Sequence, residues 1–246
     1  MPALDNPAKI HTLFEAAALL LGTQMYWWQR RHAGLPTAAS GAPFAVLMGC
    51  LFGAGIGSKA VFWLERPDLL VQYWGLWHVV FLQSGQSIVG GLLGGLLGVE
   101  LAKKLHGVTA STGDLFVTPI LVGLVVGRVG CFLAGLADDT YGIPTRLPWG
   151  VDFGDGLARH PTQLYEILFA AVLWLVLKRS AHRLAATPGL KFRLMLSAYL
   201  LWRLLIDAIK PVPVAWHGGL SGIQWVCLLA LLFYLPGTLR RLRCTP

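Results

Sequence analysis

The fold is decided by residues 127–166, which read GRVGCFLAGLADDTYGIPTRLPWGVDFGDGLARHPTQLYE. This stretch places Arg128 inside one apolar segment and Glu166 inside the next, and the sequence between them is rich in Gly, Pro, Asp and Trp. A loop of this length and composition is more than a connection between two helices, because long loops in compact domains are usually functional. We therefore expect residues 137–160 to form an ordered loop that carries functional residues.

The composition of the whole chain predicts an integral membrane protein. Of the 246 residues, 55% are hydrophobic and only 13% are charged, and the mean hydropathy is +0.61. These values exceed those of a water-soluble domain of this size. The net charge of +8 does not indicate nucleic-acid binding, because the basic residues lie in short runs between apolar segments without a base-reading motif. The four cysteines show no paired spacing, so neither a disulfide framework nor a zinc site is predicted.

Seven apolar segments are long enough to cross a bilayer as helices, which requires about 20 residues each. The segments are residues 11–28, 44–64, 84–102, 115–136, 161–177, 192–210 and 218–235. No basic region precedes the first segment and no small-residue cleavage site follows it, so a cleavable signal peptide is not expected. We predict an all-α integral membrane protein with seven transmembrane helices, forming a single domain over residues 1–246.

The positions of lysine and arginine predict the orientation of the chain. These residues cluster after the first, third, fifth and seventh segments. Because cytoplasmic loops are enriched in them, the N-terminus is expected outside and the C-terminus in the cytoplasm. The loop at residues 137–160, which lies between the fourth and fifth segments, would then face the outer side of the membrane.

The third segment is unusually rich in glycine, reading SIVGGLLGGLLGVE from Ser87 to Glu100. Small residues allow the backbones of two membrane helices to approach closely. We interpret this segment mainly as a helix-packing surface, with close approach to a ligand as the alternative.

Six ionisable side chains from five segments lie at similar depth in the outer half of the bilayer, judged from a helical rise of about 1.5 Å per residue. They are Glu15, Lys59, Arg128, Glu166, Arg203 and Asp207. A charge in hydrocarbon costs roughly 3 kcal/mol or more, so it is retained where it is paired or meets a polar substrate. One interpretation is a set of structural ion pairs, since Arg203 and Asp207 are spaced i, i+4. The other is an anion site, because guanidinium groups pair with phosphate oxygens and phospholipid headgroups lie at this depth.

The start of the fifth segment holds further candidates. Glu166 in a low dielectric is a candidate acid or base, and it is equally compatible with a role as the partner of Arg128. Pro161 suits the first turn of a helix and leaves the residues before it at the membrane surface. A lone interfacial histidine is more often structural than catalytic. The candidates near this turn are Arg159, His160, Gln163 and Tyr165.

Three motifs follow one another in a fixed order and spacing: GRVGCF at 127–132, PWGVDF at 148–153 and RHPTQLYE at 159–166. Together they resemble the signature blocks of the prolipoprotein diacylglyceryl transferase family. The similarity extends to SIVGGLLGG at 87–95, RLLIDAIK at 203–210 and LSGIQ at 220–224. Three motifs in order are specific, whereas any one of them alone would be weak.

The resemblance implies a bacterial inner-membrane enzyme with its active site toward the outer leaflet. Such an enzyme transfers the diacylglyceryl group of phosphatidylglycerol to the lipobox cysteine of a prolipoprotein and releases glycerol phosphate. The family's essential arginines match Arg128 and Arg203, which would hold the lipid phosphate and stabilise it as it leaves. The attacking thiol comes from the prolipoprotein and needs a nearby base. No metal and no cofactor are implied.

The predicted site residues fall into two groups. The candidate catalytic residues are Arg128, His160, Glu166 and Arg203. The candidate substrate-binding residues are Lys59, Gln86, Ser87, Arg128, Arg159, Gln163, Tyr165, Arg203 and Asp207.

The chain departs from the family pattern at several polar positions. Val89 stands where the family usually has histidine, and Cys131 stands where it has asparagine. Ala134, Gly135 and Leu136 replace the usual Asn-Gly-Glu. The possible substitutes for the missing polar groups are Gln86, Asp138, Asp139 and His160.

These departures keep two alternatives open. The first is a related transferase on the same scaffold that uses a non-protein acceptor. The second is a phospholipid binder or transporter without enzymatic activity. Transport would be supported by inverted repeats with interrupted segments, and the two halves of the sequence show no such pair.

Overall fold

The computed structural model describes residues 7–35, 41–76, 85–212 and 214–244. Within these ranges the fold is built from seven helices of 17 to 26 residues. They are α1 (Pro7–His32), α2 (Gly41–Glu65), α4 (Ile88–Leu105), α5 (Val117–Ala134), α6 (Thr162–Arg179), α8 (Leu190–Ile206) and α9 (Gly222–Arg243). Two short helices connect them, α3 (Pro67–Gln72) and α7 (Ala181–Ala185). Single 3-10 turns cover Trp74–Leu76, Gly113–Phe116, Gly135–Asp138, Asp207–Ile209 and His217–Gly219.

Three helical stretches of the described chain are both long and apolar enough to cross a membrane. They are Gly41–Glu65, Gly113–Asp138 and Gly222–Arg243. The helix α4 carries Glu100, Lys103 and Lys104 in its second half, and α8 has only 17 residues. The structure is therefore that of an all-α membrane protein, and the seven-span topology stays a prediction.

The helices lie close to the predicted segments, with the largest differences in α9. The sequence predicted a helix over residues 218–235, but α9 begins at Gly222 and continues through Pro236 to Arg243. Ser221 and Gln224 form a reciprocal capping box, which fixes the start of the helix. Beyond the proline, Thr238 is fully buried and its hydroxyl lies 3.4 Å from that of Ser197 on α8. We attribute the continuation to this packing, which offsets the one backbone hydrogen bond that the proline removes.

Other boundaries differ by a few residues. Position 84, the predicted start of the third segment, lies outside the described residues, and α4 begins at Ile88 after the cap residue Ser87. The sixth predicted segment, 192–210, ends as a 3-10 turn over Asp207–Ile209 and not as α-helix.

The glycines of α4 pack directly against glycines of α2, which confirms the predicted helix-packing surface. A Cβ atom added to Gly94 would lie 2.2 Å from the carbonyl oxygen of Gly53, and one added to Gly53 would lie 2.3 Å from that of Gly94. A Cβ on Gly57 would lie 2.4 Å from the carbonyl oxygen of Gly90. The two backbones therefore touch along this interface, as small residues permit.

Contacts between helix ends define two sides of the bundle. On one side, His11 near the start of α1 lies 2.7 Å from Asp138 after α5. Glu65 at the end of α2 accepts a hydrogen bond from the backbone N–H of Ile223 at the start of α9. On the other side, Asp114 before α5 accepts hydrogen bonds from the backbone before and within the first turn of α8. These contacts make α1 antiparallel to α5 and α2 antiparallel to α9, whereas α5 and α8 start on the same side and run parallel.

The loop between α5 and α6 is ordered. It contains a two-stranded antiparallel ladder, β1 (Val151–Asp152) with β2 (Ala158–Arg159), in an otherwise helical fold. The backbone N–H groups of Gly154, Gly156 and Asp155 donate to the carboxylate of Asp152 and hold the pKa of that carboxyl below its usual range. The buried ring of Phe153 contacts Phe132 edge to face, which anchors the loop on α5.

Candidate active site

One buried carboxylate joins the two arginines that the motifs singled out. Arg128 on α5 and Arg203 on α8 are each 6% exposed, and Glu166 on α6 is fully buried. Glu166 Oε2 lies 2.8 Å from Arg128 Nε and 3.7 Å from Arg203 Nη1. Glu166 Oε1 accepts a hydrogen bond of 2.9 Å from the hydroxyl of Tyr199. Three helices are thus held together at this carboxylate.

Arg203 also pairs with a second carboxylate, that of Asp207. Arg203 Nη2 lies 2.7 Å from Asp207 Oδ1, so the two residues form the i, i+4 ion pair that their spacing allows. The hydroxyl of Ser221 donates to Asp207 Oδ2 at 3.1 Å. Because Ser221 also caps α9, this network fixes Arg203 relative to two helices.

The two arginines line a single cavity of about 1920 Å³. Its walls come from α1, α2, α4, α5, α8 and α9, and they include the predicted residues Lys59, Gln86, Ser87 and Asp207. Glu166 lies outside this lining, so it contacts the arginines on the side away from the cavity. The structure therefore brings Arg128 and Arg203 to one site and places Glu166 behind them.

A third cation, Lys210, reaches the same place. It lines the cavity and interacts electrostatically with Arg128, Arg203, Glu166 and Asp207. No carboxylate of the described residues lies within ion-pairing distance of its ammonium group. Three cations therefore gather at a place where only Glu166 and Asp207 lie within ion-pairing distance of the arginines, and Asp138 and Glu65 interact with them from farther away. The sequence held a signal for Lys210, because it lies seven residues after Arg203, or about two helical turns.

Two further predicted residues line the cavity, Ser87 and Gln86, and they differ in burial and in hydrogen bonding. Ser87 is buried, and its hydroxyl caps α4 by accepting from the backbone N–H of Gly90 at 3.3 Å. Its backbone N–H donates to Ser58 Oγ at 3.0 Å. Gln86 is exposed and lines the cavity.

Four predicted site residues lie in or near the ordered loop and outside this cavity lining. Arg159 pairs with Asp155 at 2.6 Å, and His160 Nδ1 lies 3.2 Å from the hydroxyl of Tyr165. The same hydroxyl accepts a hydrogen bond of 2.8 Å from Trp149. The side chain of Gln163 is buried without a hydrogen-bond partner among the described residues. These four residues do not line the cavity that the arginines line, and their substrate roles stay predictions.

Comparison with known proteins identifies the family. The sequence model of the family described as prolipoprotein diacylglyceryl transferase matches residues 4–239. The chain belongs to the prolipoprotein diacylglyceryl transferase family.

Relatives that carry the name phosphatidylglycerol–prolipoprotein diacylglyceryl transferase cover different shares of the chain. The protein from Methylobacillus flagellatus is 30% identical over 228 residues, which are 87% of this chain and 83% of the relative. The one from Geobacter sulfurreducens is 33% identical over 73% of this chain and 67% of its own length. The one from Nitratidesulfovibrio vulgaris is 35% identical over 63% of this chain, which spans 62% of that relative.

Two of the positions where the chain departs from the family pattern, Val89 and Cys131, line the same cavity, whereas Ala134 and Leu136 lie outside its lining. Val89 is buried in the cavity wall, so an apolar group stands where the prolipoprotein diacylglyceryl transferase family usually has histidine. Cys131 Sγ lies 3.7 Å from Arg128 Nη1. Of the possible substitutes, Gln86, Asp138 and Asp139 line the cavity and His160 does not. His11, which the sequence analysis did not single out as a site residue, lies beside Asp138.

Proposed function

We propose that this protein transfers the diacylglyceryl group of phosphatidylglycerol to the lipobox cysteine of a prolipoprotein and releases glycerol phosphate. The family match and the names of the relatives support this reaction. The observation that carries the proposal is the position of Arg128 and Arg203, which are buried side by side in the wall of one large cavity.

The three neighbouring cations, Arg128, Arg203 and Lys210, suit the phosphate of an anionic lipid. Arg203 Nε is buried without a hydrogen-bond partner among the described residues, and Lys210 lies close to both arginines. A lipid phosphate placed here would accept charge-assisted hydrogen bonds, which are about twice as strong as neutral ones. The same groups would stabilise the glycerol phosphate as its bond to the diacylglyceryl group breaks, because fixed charges act strongly in a water-poor site.

In this proposal Glu166 is a positioning residue. Its carboxylate is engaged by Arg128, Arg203 and Tyr199 and lies outside the cavity lining. It fixes both guanidinium groups before the lipid arrives, which lowers the cost of ordering them on binding. This assignment replaces the acid or base role considered from the sequence.

We extend the proposal to the arrangement in the membrane. The last turns of α1, α4, α6 and α9 are basic, which supports seven spans with the N-terminus outside and the C-terminus in the cytoplasm. Residues 1–246 would form one domain in the bacterial inner membrane. The ordered loop at residues 137–160 would lie on the outer face, and the arginine site would face the outer leaflet.

A transfer assay with defined substrates tests the function. Purified protein in micelles that contain phosphatidylglycerol is incubated with a lipobox peptide, and mass spectrometry detects a thioether-linked diacylglyceryl product. Arg128→Ala and Arg203→Ala should each lower the rate by about 100-fold or more, the usual effect of removing a group that stabilises transition-state charge. Arg146→Ala, at an exposed loop position, is the matched control and should retain the rate. Failure to modify the peptide with the unaltered protein would contradict the proposal.

A second candidate function is transfer of the lipid group to a non-protein acceptor. It is favoured by the replacement of polar family residues by Val89 and Cys131 in the cavity wall. In the same assay it predicts turnover of phosphatidylglycerol without modification of the peptide. A phospholipid binder without activity would show neither product.

A further inference from the structure

Three side chains of the types that commonly bind metal ions lie close together beside the arginine site. His11 comes from α1, Cys131 from α5 and Asp138 from the 3-10 turn that follows α5. One potential ligand atom from each residue lies within 4.8 Å of the other two. Only the fold brings the set together, because the three positions show no metal-site spacing in the sequence. All three residues line the cavity.

The histidine in this cluster is oriented as metal-binding histidines usually are. His11 Nε2 lies 3.2 Å from a carboxylate oxygen of Glu15. A carboxylate in this position accepts the Nε2 proton and leaves the lone pair of Nδ1 free for a metal ion. His11 Nδ1 faces Asp138 Oδ1 at 2.7 Å and is buried, but it meets no hydrogen-bond partner of acceptable geometry among the described residues. His11 Nδ1 and Asp138 Oδ1 therefore lie close enough to share a proton or, together with Cys131, to bind one metal ion.

Neighbouring groups also orient the other two donors. The hydroxyl of Thr140 donates to the second carboxylate oxygen of Asp138, which leaves Oδ1 directed at the cluster. Arg128 Nη1 donates a hydrogen bond of 3.7 Å to Cys131 Sγ, which orients the sulfur beside the cluster. Such outer contacts commonly fix metal ligands in place.

We propose that His11, Cys131 and Asp138 bind a divalent transition-metal ion of the zinc class. Nitrogen, thiolate sulfur and carboxylate oxygen are the donors that Zn²⁺ takes in proteins. The thiolate and the carboxylate balance the charge of the dication beside the guanidinium group of Arg128. Three protein ligands leave one coordination position open, and this position faces the cavity, as in sites where zinc holds a water molecule or a substrate.

The competing arrangement contains no metal. In it, His11 is protonated on both nitrogens and lies between the carboxylates of Glu15 and Asp138. The two arrangements differ in a measurable way, because only the metal site places Cys131 in a bond to an ion.

Cobalt substitution tests the site without an activity assay. The detergent-purified protein is stripped with a chelator and titrated with Co²⁺, whose bond to a thiolate gives a charge-transfer absorption band. We expect about one Co²⁺ per chain with this band, and displacement by Zn²⁺, which binds such sites more tightly. Cys131→Asn, which introduces the residue usual in the family, should abolish the band. Glu15→Gln should weaken Co²⁺ binding by about 10-fold or more.

Two controls make the result decisive. Cys50→Ser, in the same cavity wall, and Cys244→Ser, at an exposed position, should both retain the band. Gel filtration and circular dichroism verify that each variant is folded. The absence of a thiolate band in the unaltered protein would overturn the proposal in favour of the metal-free arrangement. Its persistence in Cys131→Asn would also overturn the proposal, because the ion would then be bound by another cysteine.

Discussion

At the scale of single residues, the positions of the two motif arginines depend on their ion pairs with Glu166. A buried carboxylate that holds two guanidinium groups cannot be neutralised cheaply, because breaking such a pair leaves uncompensated charges away from water. We predict that Glu166→Gln lowers the free energy of unfolding by about 3 to 5 kcal/mol. Denaturant-induced unfolding in detergent measures the change.

The matched control for this substitution is Glu100→Gln. Glu100 pairs with Lys103 at 3.0 Å, but its side chain is 59% exposed. Exposed pairs contribute about 1 kcal/mol or less, so this variant should be nearly as stable as the unaltered protein. Equal losses for the two variants would mean that burial does not distinguish the two pairs.

Lys210 gives a prediction about lipid binding at the same scale. If it contacts the lipid phosphate, Lys210→Met should lower kcat/KM for phosphatidylglycerol by about 10- to 100-fold, the range expected for one charge-assisted hydrogen bond. Lys210→Arg should restore most of the loss because it keeps the charge. Lys104→Met, at an exposed position on α4, is the control and should have no effect. A loss that Lys210→Arg does not restore would argue against a charge-based role.

The sequence predicts part of this site well and part of it poorly. Arg128, Glu166 and Arg203 are recognisable because charges inside apolar segments are costly and need a reason to persist. The placement of Glu166 behind the arginines was not predictable, since sequence position gives depth in the membrane but not the direction of a side chain. His11 and Asp138 meet only through packing of α1 against the end of α5, and no spacing rule links them.

At the scale of helices, the close contact between α2 and α4 leaves no room for side chains larger than glycine at the contact positions. We predict that Gly53→Ala lowers the free energy of unfolding by about 1 to 3 kcal/mol, the usual cost of overpacking. The added methyl group would lie 2.3 Å from the carbonyl oxygen of Gly94, so the two helices must separate. Thermal unfolding in detergent measures the effect.

Gly55→Ala is the control on the same helix. A Cβ at Gly55 meets nothing within 4 Å among the described residues, and alanine favours helix over glycine by about 1 kcal/mol. This variant should be as stable as the unaltered protein or slightly more stable. Similar losses at both positions would contradict the backbone contact as the cause.

Helix boundaries show what local sequence signals can and cannot supply. The glycine pattern predicted that α4 packs closely on a neighbour, but not that the neighbour is α2. The start of α9 was predictable in principle, because Ser221 and Gln224 have the spacing of a capping box. Its end was not, because Pro236 normally indicates a helix end and only the buried contact of Thr238 explains why α9 continues.

At the scale of the whole molecule, orientation is testable with a membrane-impermeant maleimide. The exposed Cys244 near the basic end of α9 should react only after the cytoplasmic side is opened. A cysteine introduced by Asp155→Cys, in the ordered loop, should react in intact spheroplasts. The reverse pattern would contradict the proposed orientation. Quantitative mass spectrometry of the labelled peptides provides the measurement.

The contact between α2 and α4 also constrains how a lipid reaches the cavity. The backbones of α2 and α4 are in direct contact, and no side chain lies between them that could rotate to open a passage. A lipid therefore cannot enter between these two helices. We expect α2 and α4 to move together as one rigid body when the helix bundle fluctuates. A lipid that enters the cavity laterally from the surrounding leaflet must therefore pass between other helices, at an interface where the α2–α4 pair contacts its neighbours.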